Sequence, residues 1–61
     1  MMEKKAQITV QMAQIIEQLE MAQQMWLGDD EKACLLLLQA ASREIKSVAY
    51  RITPILKGAN Q

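Results

Sequence analysis

Histidine and phenylalanine are absent from this chain; cysteine, proline, tryptophan and tyrosine occur once each and glycine twice. Each shortage removes a class of explanation. One cysteine cannot close an internal disulfide, and with no histidine beside it a structural zinc site has no ligand set within one chain. Histidine is also the side chain most used for general acid–base work, so no catalytic constellation is expected and no cofactor is implied. Neither sign of charge is in excess: seven Lys and Arg offset seven Asp and Glu. The cation surplus that displaces counterions from nucleic acid is therefore lacking. The longest apolar run, Ala33 to Leu38, has six residues, against the ~20 that span a bilayer. The opening Met-Met-Glu-Lys-Lys, with no apolar stretch behind it, does not read as a secretory signal. The expectation is a cytoplasmic protein with no membrane partner, and a lone thiol agrees with a reducing compartment.

What the chain does have is a seven-residue rhythm of apolar side chains, written twice. In the first half Ile8, Met12, Ile15, Leu19, Ala22 and Trp26 are spaced 4-3-4-3-4. In the second, Cys34, Leu38, Ala41, Ile45, Val48, Ile52 and Ile55 are spaced 4-3-4-3-4-3. This alternation places each set on one stripe of a helix, the seam by which helices pack together. Strong helix formers fill the first stretch and predict a helix over about 3–27. Gly28 suits the left-handed position just past its end. Asp29 or Asp30 can cap a second helix, predicted over about 30–53. Pro54 removes a donor and crowds the preceding turn, so the helix should stop or kink there, or add one further turn. Residues 58–61 read as a frayed tail.

A link this short forces antiparallel neighbours. The predicted fold is all-α: one helical-hairpin domain over residues 1–61, an antiparallel two-helix hairpin dimerising into a four-helix bundle. The dimer follows from surplus apolar surface. Ile16 and Leu35 flank the seam on one side, Met25 and Leu37 on the other, and Leu36 and Val10 lie further round. Contiguous exposed apolar patches mark interfaces, and a chain of 61 residues that lacks disulfide and metal stabilises itself by oligomerisation. A tetramer satisfies the same argument. Lys4, Lys5, Lys46, Arg51 and Lys57 gather toward one end of such a rod, and Asp29, Asp30, Glu31 and Glu20 toward the other. Packing two hairpins loop-to-termini brings opposite charges together.

The residues that stand out have structural readings beside functional ones. Cys34, on the seam, reads as a small core residue rather than a redox site or an intersubunit disulfide. Glu17 and Glu20 lack the Glu-x-x-His partners of a di-metal bundle and read as solvated surface. Trp26 reads as a plug over the turn and, compatibly, as a binding anchor. The Leu35-Leu36-Leu37-Leu38 run covers a whole helical turn, too much for one neighbour. Trp26, Leu36, Leu37 and Tyr50 are the candidate contacts to a protein partner. Arg43, Lys46, Arg51 and Lys57, around Tyr50, are a candidate basic face for RNA or an acidic partner.

In size and plan the whole chain resembles the Rop-type RNA-binding hairpin dimers and the short helical regulators of prophages and plasmids, antirepressors among them. The resemblance is one of architecture and implies a dimeric binding protein. Rop-type proteins read RNA pairs with a face of the first helix; here that exterior carries Gln7, Gln11, Gln14 and Gln18, a neutral surface. The functional expectation is a non-enzymatic regulator that binds and modulates another protein, as antirepressors do. The alternatives are a nucleic-acid-binding hairpin and a structural oligomerisation subunit.

Overall fold

Two helices and a three-residue turn account for the described residues. The computed structural model describes the backbone of residues 2–59 and the surroundings of side chains 3–56. Helix α1 runs Met2–Leu27 and α2 runs Glu31–Ala59. They fold back on each other as a hairpin, a rod with Cα extents of 49 × 17 × 12 Å. Neither helix is long and apolar enough to cross a membrane.

The turn is built from backbone hydrogen bonds. Asp30 N–H donates to the Met25 carbonyl (2.8 Å) and Asp29 N–H to the Trp26 carbonyl (3.1 Å). This pair of bonds is the Schellman closure of a helix end. Its left-handed residue is Asp29, with φ 63°, and not Gly28 as expected. The reason lies in the count of residues. Gly28 still donates to the Gln24 carbonyl in helical register, and Asp30 is already committed to α2, so the reversal falls on the residue between them. Aspartate tolerates the left-handed region better than most side chains. Asp30 is the cap of α2: its Oδ1 accepts from Ala33 N–H at 3.1 Å, and its carbonyl accepts from Cys34 N–H. Glu31 follows in the first turn, where the helix dipole favours a negative charge.

Helix α2 runs beyond the predicted bound near residue 53 and takes the further turn, one of the outcomes expected at Pro54. It passes through Pro54 and continues to Ala59, with no stop near residue 53. Proline there deprives the Tyr50 carbonyl of its helical donor. Tyr50 is exposed, so water can satisfy its freed carbonyl, and the helix continues past the proline at a small local cost. Gly58 and Ala59 are helical too, so the expected frayed tail does not begin at 58; residues 60–61 lie outside the described residues.

The core is narrower than the seam. Among the described residues, the buried apolar side chains are Ile8, Ile15 and Ala22 on α1 and Cys34, Ala41 and Val48 on α2. These are one position per heptad on each helix, and Cys34 is the small core residue that its place on the seam suggested. The other seam position, occupied by Met12, Leu19 and Trp26 on α1 and by Leu38 and Ile45 on α2, is exposed. Core size also changes along the rod. Near the turn it is Ala22, Cys34 and Ala41; toward the termini it is Ile8, Ile15 and Val48.

Candidate functional site

A hairpin has two broad faces, and here they differ in chemistry. One step round each helix from the core position, in one direction, stand Gln11 and Gln18 on α1 and Glu44 and Arg51 on α2, all half-buried. Gln11, Glu44 and Arg51 are tied across the helices. Gln11 Nε2 donates to Glu44 Oε2 (3.1 Å) and, at 3.5 Å, to Ser47 Oγ. Arg51 donates from Nη1 to Gln11 Oε1 (2.7 Å) and from Nη2 to Gln7 Oε1 (3.1 Å). The Gln11 amide thus bridges a carboxylate and a guanidinium, using its donor on one and its acceptor on the other. Gln18 Oε1, next along this face, is buried without a hydrogen-bond partner among the described residues.

One step round in the other direction lies the open face. It carries Met12, Leu19 and Trp26 from α1 and Leu38, Ile45 and Ile52 from α2, with Ile16 and Leu35 outside them. All but Ile52 are exposed, Trp26 at 61%. Antiparallel helices bring the same flank of each to the same side, so the two rows of apolar side chains merge into one surface. Two grooves open on it between the helices. The larger, about 620 Å³, is floored by Ile8, Met12, Ile52 and Ile55 and edged by Lys4, Lys5 and Thr9. The smaller lies between Met12, Ile16 and Ile45, over Ile15 and Val48. Both sit where the core residues are large.

Charged residues frame this face at its two ends. Lys5 is seven residues before Met12, and Glu31 seven before Leu38. Each therefore continues an exposed seam row, Lys5 at the terminal end of the rod and Glu31 at the turn.

The residues singled out from sequence separate onto three surfaces. Trp26 belongs to the open face. Leu36 and Tyr50 are exposed on the outer side of α2, with Arg43 between them at heptad spacing. Leu37 is partly buried and lies with Glu44 and Arg51 toward the polar face. Of the four basic residues, Arg43 and Lys46 are exposed. Lys46 shares a shallow depression with Ala49, Tyr50 and Thr53. Arg51 is half-buried and bonded to Gln7 and Gln11, and the Lys57 side chain lies outside the described residues. What sequence reasoning missed is the split of the seam itself. Its signal was present in the flanks: glutamine, glutamate or arginine on one side of four of the six core positions, with Met25 and Leu37 at the two nearest the turn, and apolar residues on the other side throughout.

No protein-family model matches the chain, and no curated protein or solved structure matches it.

Proposed function

We propose that the chain is a small non-enzymatic regulator that assembles through its open face into a four-helix bundle of two hairpins and, in that form, binds and modulates another protein. The observation that carries this reading is the contrast between the two broad faces. One is sealed by the Gln11–Glu44–Arg51 bridge. The other presents Met12, Ile16, Leu19, Trp26, Leu35, Leu38 and Ile45 without cover. A contiguous apolar surface of this extent belongs in an interface. The broad side of the rod measures 49 × 17 Å between Cα extremes, about 800 Å² in projection, which is one partner's share of a standard stable interface. Apolar residues facing each other from two hairpins complete a bundle core.

Assembly of this kind leaves the outer side of α2 free. Leu36, Arg43 and Tyr50 form a stripe there, with an aliphatic, a cationic and an aromatic side chain in line, a composition suited to a protein partner. Modulation of a transcription factor or an enzyme, in the manner of an antirepressor, is the form this binding takes. The half-buried, doubly bonded Arg51 leaves the basic group around Tyr50 thin, which favours a protein partner over nucleic acid. A reducing cytoplasmic setting suits the unpaired Cys34.

The test compares two variants with the parent. Sedimentation equilibrium of the parent is expected to give twice the chain mass at micromolar concentration. Ile45→Glu, on the open face, is expected to abolish that association. Leu36→Glu, on the outer stripe, is expected to keep the double mass and the helix content while losing the partner that the parent captures. A parent that stays a folded single chain would refute the assembly. Loss of folding in Leu36→Glu would assign that leucine to packing.

A further inference from the structure

We infer that the second copy docks head to tail, so that Trp26 of each hairpin enters the groove between Ile8 and Ile55 at the far end of the other. The inference rests on the self-assembly proposed above and adds its orientation and its central contact.

Three independent features of the open face agree on this arrangement. The first is charge. Lys5 and Glu31 terminate the exposed seam rows at opposite ends of the same face. With a twofold axis perpendicular to the rod, each Lys5 lies beside the partner's turn end and its Glu31. With the axis along the rod, lysine meets lysine and glutamate meets glutamate. Complementary ends fix orientation, and like-charge juxtaposition penalises the alternative.

The second is shape. At the turn the core is alanine and cysteine, and the largest side chain of the chain, Trp26, stands proud of it at 61% exposure. At the terminal end the core is isoleucine and valine, and the apolar groove over Ile8, Met12, Ile52 and Ile55 is open. Knob and recess sit at opposite ends of one face, and only head-to-tail packing joins them.

The third is register. A twofold axis level with Ile16, midway along the face, has Trp26 ten residues to one side and Ile8 eight to the other. At the helical rise these are offsets of about 15 and 12 Å, so the indole arrives over the groove. There it meets apolar side chains, and Lys4 and Lys5, which line the same groove, can reach over the ring face as cations.

Cysteine pairing reads the orientation directly. In a Cys34→Ala background, Lys5→Cys and Glu31→Cys are introduced together and the protein is oxidised mildly with oxidised glutathione. Within one chain the two positions lie roughly 35 Å apart along the rod, too far for a disulfide, so any bond between them joins two chains. Peptide mapping is expected to show the 5–31 pair. Pairs 5–5 and 31–31 in a protein that sediments at twice the chain mass would overturn the orientation and leave the assembly standing. A single-chain mass would overturn both. Trp26 supplies a second readout on the unmodified protein. Its emission is expected to shift to the blue as concentration rises through the association range. Trp26→Ala should weaken association at least tenfold, with Trp26→Phe in between. An emission maximum that stays at the water-exposed value while the mass doubles would remove Trp26 from the contact.

Discussion

Arg51 donates to Gln11 Oε1 at 2.7 Å, joining residues 40 apart in sequence across the two helices. The same amide donates to Glu44. Charge-assisted bonds of this kind stabilise by more than neutral ones. Gln11→Ala should lower stability by about 1–2 kcal/mol, because it removes the bridge and leaves a half-buried guanidinium less satisfied. Thermal or urea unfolding at fixed chain concentration measures this. In a double-mutant cycle with Arg51→Ala, the effects should fall short of additivity.

The turn makes three predictions, two of one sign and one of the other. Asp29 holds a positive φ that glycine adopts without strain. Asp29→Gly should therefore stabilise by up to about 1 kcal/mol. Gly28 has no positive φ, and a Cβ there would stand 3.4 Å from the Gln24 carbonyl oxygen, an ordinary contact. Gly28→Ala should stabilise by about 0.4–1 kcal/mol through the unfolded chain. Asp30→Ala removes the cap and should cost about 1 kcal/mol. Three urea midpoints, two raised and one lowered, would bear this out.

Gln18 Oε1 is a buried acceptor without a donor among the described residues. Gln18→Met keeps the length of the side chain and discards the orphaned oxygen. It should raise stability by about 1 kcal/mol, since burying an unsatisfied polar group carries a desolvation cost of that order. An unchanged or lowered melting temperature would show that solvent reaches this oxygen.

Pro54 sits inside α2, within two turns of its end. Pro54→Ala restores the donor for the Tyr50 carbonyl and relieves the ring's clash, and should stabilise by about 1–3 kcal/mol. Circular dichroism should show at least as much helix as in the parent.

The hairpin was readable from residue chemistry: helix formers through Leu27, the Gly28-Asp29-Asp30 break, a capping aspartate, and one apolar stripe in each half. Ile8 and Met12 could not be told apart by spacing, because both satisfy the same 4-3 alternation. Burial chose Ile8 because Gln11 finds Glu44 and Arg51 across the helices on one side, and that choice turns Met12 to the other. Such pairing depends on residues 33 and 40 positions away, beyond any local pattern. Pro54 misled for a different reason. Its penalty is local and visible in sequence, whereas the exposure of Tyr50, which lets water satisfy the freed carbonyl, belongs to the fold. Leu36, Leu37, Trp26 and Tyr50 were grouped by residue type, and the helical wheel distributes them over three surfaces.

The hairpin's slender interior ties persistence to abundance. Among the described residues it buries six apolar side chains, three of them alanine or cysteine, too few to hold a lone copy firmly closed against proteolysis. If copies shelter one another, the amount synthesised decides how much survives. Sparse transcripts would then yield digested peptide, and a burst of expression would yield a lasting protein, a dose threshold set by six buried side chains.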